Sequence, residues 1–236
     1  MYRPGTQKFY ERAHLEETDG GFTILLDGRT LKTPAGSSLS IPSEPLARQI
    51  TEEWSAQEDT INPSTMPMTS LCCTMFDRIV PRKVEITHQL LRYVETDLLC
   101  YRAQEPADLA HRQHEAWQPL IDWVAETYSA HLVVTEGVLP IPQPQEAIKS
   151  LSATVDSLHD WELTALSCVA PIAGSLIVGL ALVLGRITAS DAISVIQLDE
   201  DYQNETWGTV EEAKQQQKGI QQEIESAAAF VQLANS

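Results

Sequence analysis

Cys168-Val-Ala-Pro-Ile-Ala-Gly-Ser-Leu-Ile-Val-Gly-Leu-Ala-Leu-Val-Leu184 carries no charge, and its reading decides the fold. A membrane-spanning helix needs roughly 17–25 apolar residues. This run sits at the low limit and contains Pro171, Gly174, Ser175 and Gly179, with Asp160 and Glu162 close before it. A helix that is apolar on every side either spans a bilayer or forms the centre of a helical bundle. The bundle centre is the favoured reading. Gly174 and Gly179 are then expected to let neighbouring helices approach closely.

Helical spacing continues on both sides of this run. Beyond it, Thr188-x-x-Asp191 resembles a capping box ahead of Ala192, Ile193 and Ile196, and Thr209-x-x-Glu212 is a second box ahead of Ala213, Ile220, Ile224 and Ala227. Before it, Ile148, Leu151, Val155 and Leu158 mark a helix set off by Pro140, Pro142 and Pro144. Leu109, Trp117, Leu120, Ile121 and Val124 mark another, interrupted or kinked at Pro119. Leu91, Val94 and Leu98 line one helix face, and Met68, Leu71, Cys72, Met75 and Ile79 another. Ser43 caps a helix carrying Leu46, Ile50 and Trp54, with a loop at Asn62-Pro63 and Met66-Pro67.

Only the start of the chain reads otherwise. Phe22-Thr-Ile-Leu-Leu26 and Arg29-Thr-Leu-Lys-Thr33 are β-prone and flank Asp27-Gly28, the pairing that tolerates the positive φ of a two-residue hairpin turn. Leu39-Ser-Ile41 is a candidate third strand. The fold class is therefore α+β: a small α+β amino-terminal domain over 1–85, followed by an orthogonal all-helical bundle over 86–236.

The 236 residues hold 33 acidic and 16 basic side chains, a net charge of -17. Residues 1–90 account for only -3 of it. Such a chain repels phosphates, which excludes sequence-independent nucleic-acid binding and docking on anionic membranes. A hydrophobic fraction of 43% is enough for a core and argues against disorder. Cys72, Cys73, Cys100 and Cys168 contain no CxxC pair and read as small buried hydrophobes in a reducing compartment. No secretory or transit signal opens the chain. If Met1 is the native start, a bacterial cytoplasm is expected; the alternative is a mitochondrial matrix with the transit peptide absent. The protein alone is expected to be a monomer.

Chemistry-bearing motifs are mostly missing. There is no phosphate-cradling GxxxxGK[ST], no GxGxxG, no HExxH and no GxSxG. His111-x-x-His114-Glu115 lacks a third ligand and reads as a solvated helix face. No metal, no cofactor and no catalytic residue is assigned. Three clusters are more specific. Leu26-Asp-Gly-Arg-Thr-Leu-Lys-Thr-Pro34, with Asp27, Gly28 and Arg29, is either a functional loop or a hairpin with a basic rim. Glu53-Trp54-x-Ala-Gln57 is a second cluster, in which Trp54 is expected to pack between the two parts of the chain. Leu198-Asp-Glu-x-Tyr-Gln203 with Trp207-Gly208 ends a helix in acids, against its dipole, with Gly208 as an αL terminator. Either a partner needs that charge, or the helix end is simply solvated.

These clusters, together with Phe9-Tyr10, Gly21-Phe22, Met66-Pro-Met-Thr69, Thr96-Asp-Leu-Leu-Cys-Tyr-Arg102 and Trp117-x-Pro-Leu-x-x-Trp123, occur in one order from about Lys8 to Ala213. In that order they resemble the assembly-chaperone family that handles the alpha subunit of the catalytic head of F-type ATP synthase. The resemblance implies a binding protein whose partner is that alpha subunit, held against aggregation until beta arrives. It implies Glu200 as the main functional side chain, Asp199 and Gln203 flanking it, and Trp207 fixing the helix end that presents them. Trp54, Gln57, Gly208 and the Asp27–Arg29 turn are expected to be structural. The rival reading is a small soluble hydrolase or transferase whose active site is assembled from distant residues.

Overall fold

The computed structural model describes residues 5–137, 139, 141–208 and 211–236. The chain forms two compact units, Met1–Lys83 together with Ala229–Ser236, and Val84–Ala228. The last eight residues therefore leave the bundle assigned to 86–236 and join the first unit. The reason is local: Phe230, Val231 and Ala234 are buried, and the Ser43 hydroxyl donates to the Leu233 carbonyl.

The first unit holds β1 (Thr6–Gln7), β2 (Ala13–Thr18), β3 (Gly21–Leu26), β4 (Arg29–Thr30), α1 (Glu44–Ser55), β5 (Thr60–Ile61) and α2 (Pro67–Thr74). β1 pairs antiparallel with β5, and β2, β3 and β4 form an antiparallel sheet in that order. Asp27 (φ 47) and Gly28 (φ 77) make the expected tight turn between β3 and β4. The third strand comes from the other side. β2 lies on the far edge of β3, whereas Ile41 contributes only an isolated bridge to Phe22. β2 escaped a pattern search because its sequence, AHLEET, alternates only over Ala13 to Glu16 and buries none of its residues fully. The central strand β3 is buried from Thr23 to Leu26, and α1 packs on β2 and β3.

α1 begins as expected at Ser43, whose hydroxyl accepts from the Leu46 amide at 3.3 Å. Near its other end, Glu53 is buried with its carboxylate accepting from Met68 N (2.7 Å), Thr69 N (2.8 Å) and Thr69 Oγ1 (2.6 Å). It thereby caps α2, whose Pro67 needs no donor partner at the first position. Burial pushes the Glu53 carboxyl above the ordinary range, against the pull of those three hydrogen bonds.

The second unit takes in most of α3 (Lys83–Leu91), then β6 (Tyr101–Arg102), α4 (Ala107–Tyr128), β7 (Thr135–Glu136), α5 (Gln145–Asp156), α6 (Asp160–Ala173), α7 (Leu176–Val183), α8 (Ala189–Trp207) and the larger part of α9 (Glu211–Ala234). β6 and β7 add one short parallel pair to the helices. The helix expected through Leu91, Val94 and Leu98 stops at Leu91 and continues as 3₁₀ turns, in which Val94, Leu99 and Cys100 are buried instead. α4 runs through Pro119 as one continuous helix. The box at Thr209-x-x-Glu212 and Pro140 lie outside the described residues.

The apolar run divides at Gly174 into α6 and α7. All eight residues of α7 are buried, and no helix among the described residues is long and apolar enough to cross a membrane. Gly179 permits the close approach expected of it: a Cβ there would lie 2.6 Å from Leu166 Cδ1. Gly174 does not. It meets nothing within 4 Å and instead ends α6 in the left-handed conformation. Asp97, fully buried, holds the start of α7 through Ser175 Oγ (2.7 Å) and Ile177 N (3.1 Å). Cys72, Cys73 and Cys100 are buried free thiols, with burial pushing Cys73 and Cys100 up to about 12; Cys168 is half-buried.

Candidate functional site

α8 opens on the expected capping box, in which Thr188 and Asp191 exchange hydrogen bonds. Its amino-terminal half buries Ala192 and Val195, and the Trp117 indole donates to the Val195 carbonyl at 3.0 Å. The carboxyl half is fastened to α4 by polar groups instead. Gln113 Nε2 donates to Asp199 Oδ1 at 2.8 Å. Arg112 pairs with Glu205 at 2.9 Å and with Asp108 at 3.2 Å, and its guanidinium lies 5.2 Å from the centre of the Tyr202 ring.

Between these elements lies a groove of about 710 Å³. Its walls include Arg102, Glu105, Leu109, Gln113, Asp199 and Gln203. Arg102 is buried in the wall with its donors taken up by Leu99 O (2.8 Å), Gln113 O (3.1 Å) and Gln118 Oε1 (3.4 Å), over the face of Trp117. None of these acceptors is a carboxylate, and burial holds the Arg102 pKa below the ordinary value. Gln113 joins the two sides: its Oε1 accepts from Ala103 N at 2.7 Å while its amide holds Asp199.

Of the three residues expected to act together, Asp199 and Gln203 line the groove and Glu200 does not. Residues four apart on a helix are about 40° apart around it, and neighbours about 100°. With Asp199 and Gln203 turned into the groove, Glu200 is exposed, and its carboxylate accepts from Gln217 Nε2 of α9 at 3.4 Å. Asp201 is exposed as well. Partial burial, followed by the charges of Glu200 and Glu205, raises its pKa.

Two expectations about the end of α8 are corrected. Trp207 is 78% exposed, so its indole packs on little of the chain and does not anchor the helix. Gly208 has φ 85 and ψ 159, a positive φ outside the left-handed helical region. The remaining assigned residues belong to the first unit. Trp54 is fully buried there, with the Tyr10 ring edge-on at 5.5 Å and the Tyr10 hydroxyl on its carbonyl at 2.6 Å. Gln57 organises the following loop: its Oε1 accepts from Asn62 N at 2.7 Å and its Nε2 donates to Glu53 O at 3.0 Å. The Asp27 carboxylate accepts from Glu11 N and Arg12 N, both at 2.9 Å, and these bonds hold its pKa low. Gly28 completes the turn, and Arg29 is an exposed residue of β4.

Gln113 and Arg112 went unmarked in the sequence because their partners lie 86 and 93 positions away. Trp117 and Arg102 stood inside recognisable motifs, but nothing in those motifs tied them to α8. His111 and Glu115 form an exposed pair at 3.5 Å, and the described residues contain no group of three metal-ligating side chains.

A family model described as ATP12 chaperone protein matches residues 7–125. The mitochondrial protein atp12 of Schizosaccharomyces pombe is 27% identical over 223 residues, covering 89% of this chain and 77% of that protein. The crystal structure of Atp12 from Paracoccus denitrificans superposes with a TM-score of 0.92 at 38% identity, over 97% of this chain and 98% of that one. A protein of Agrobacterium tumefaciens superposes with a TM-score of 0.89 at 36% identity, over 98% and 86%.

Proposed function

The chain belongs to the ATP12 chaperone family, and from that membership we propose that it holds the unassembled alpha subunit of the F-type ATP synthase until the beta subunit displaces it. A free alpha subunit exposes the apolar surface meant for its neighbour, and exposed surface of that kind self-associates. A chaperone that must later give way needs moderate affinity and polar, charge-guided contacts rather than a large dry interface. The observation that carries this reading is the likeness to Paracoccus Atp12 along nearly the whole chain, which includes the α8 region beyond the family match. The acidic carboxyl half of α8 suits such contacts: Asp199, Glu200, Asp201 and Glu205 stand there, and Arg112 pairs with Glu205.

We read the chain as a binding protein rather than an enzyme, a reading that the chaperone family supports. The relatives come from a mitochondrion and from bacteria, and either matrix or bacterial cytoplasm fits this chain. Glu200 is the side chain we assign the leading role in client binding.

The test is co-expression with the cognate alpha subunit, followed by size-exclusion chromatography with and without beta. The expected result is a soluble complex with alpha that dissolves when beta is added. Glu200→Lys should leave the circular dichroism spectrum and melting temperature unchanged, because the side chain is exposed, and should weaken alpha binding at least tenfold. Normal alpha binding by that variant would remove Glu200 from the assignment.

A further inference from the structure

Trp207 stands out against the rest of α8. Its indole is 78% exposed on a helix whose other large apolar side chains are at least half covered. Asp199, Gln203 and Trp207 follow one another at four-residue steps, so they form a stripe about 12 Å long that leaves the groove and turns about 80° around the helix by Trp207. The stripe starts inside the groove, where Asp199 is half-buried and held by Gln113, and ends on a bare aromatic surface. Glu200 points about 20° from the direction of Trp207 but lies about two turns before it, level with Asp199.

Building on the chaperone reading, we propose that this stripe is a two-point docking surface for a client segment carrying one cationic and one apolar side chain about 12 Å apart. The cation enters the groove and meets the Asp199 carboxylate, with the Gln203 amide beside it. The apolar side chain covers the Trp207 indole. Trp is among the residues that dominate binding energy when a partner desolvates them, and an exposed indole gains most from being covered.

The choice of occupant follows from charge. The surroundings of the stripe are anionic: Asp199, Glu200, Asp201 and Glu205 on α8 and Glu105 across the groove. The two arginines nearby are already engaged, Arg102 with two carbonyls and the Gln118 side chain, Arg112 with Asp108 and Glu205. A second copy of this chain, at -17, is the wrong occupant for such a surface, since two copies repel.

Purified full-length chain would be titrated with the cognate alpha subunit at two salt concentrations, as wild type, Trp207→Ala and Asp199→Asn, with Ser194→Ala as an exposed control off the stripe. Trp207→Ala should weaken binding at least tenfold at both salt concentrations without changing the melting temperature. Asp199→Asn should weaken it several-fold at low salt and flatten the salt dependence, because it removes a charge and keeps the shape. Ser194→Ala should bind as wild type does. If wild type binds alpha and Trp207→Ala binds equally well, the docking surface is wrong and the chaperone reading stands. If wild type does not bind alpha, both fall. A wild-type dimer that Trp207→Ala converts to a monomer would assign the surface to self-association instead and overturn the proposal.

Discussion

Asp97 shows how one buried acid can tie a helix down and still make stability depend on pH. Its Oδ1 accepts from Ser175 Oγ and from Leu99 N at 3.1 Å, and its Oδ2 from Ile177 N. Burial nevertheless dominates and raises its pKa from 3.8 to about 6. Between those two values the folded chain keeps a proton that the unfolded chain has released. The stabilisation from this group is therefore complete below the unfolded pKa and is lost as pH rises through about 6. Asp97→Asn should remove that component. It should also cost about 1–3 kcal/mol at neutral pH, because an amide cannot accept on both sides. Urea unfolding of both proteins from pH 4 to 7 checks this: their stability difference should widen steadily as pH falls from about 6. A constant difference would show that Asp97 does not titrate in this window. The sequence hid this residue because its charge looked like any surface acid. Only the 78 positions between Asp97 and Ser175 explain what it does.

Elements were readable where a local rule sets them. Ser43, Asp27-Gly28 and Thr188-x-x-Asp191 each place a boundary through contacts a few residues away, and each boundary stands where expected. The elements that were missed obey no local rule. β2 alternates over only four residues and buries none of them fully, and the pairing of β6 with β7 brings together residues over thirty positions apart. The site was half legible for the same reason. The four-residue step from Asp199 to Gln203 is local, but whether Asp199 or Glu200 faces the groove depends on Gln113 of α4. The apolar run tests the element scale directly. Gly179→Val would force its side chain into Leu166 and Ala170 of α6, in a helix with no exposed face to turn towards. Overpacking of this kind costs about 1–3 kcal/mol or more. Thermal melting should show a drop of several degrees; an unchanged melt would mean that α6 and α7 can separate at little cost.

At the scale of the whole molecule, the joining of residues 229–236 to the first unit is the feature no composition or periodicity announced. Those residues bury Phe230, Val231 and Ala234 and receive the Ser43 hydroxyl, which also caps α1. Deleting 229–236 should therefore damage the amino-terminal unit. Limited proteolysis should cut within residues 1–83 sooner than in the full chain, while the α8 groove, built within 84–228, keeps its fold. Cleavage confined to α9 would show that the tail contributes nothing to the first unit.

That tail also sets a clock on biosynthesis. The first 83 residues leave the ribosome well before residues 229–236, a piece of the same unit. At roughly 5–20 residues per second, the stretch from 84 to 228 takes roughly 7–30 s to make. During that interval the nascent amino-terminal unit lacks the side chains of Phe230, Val231 and Ala234 that complete its core.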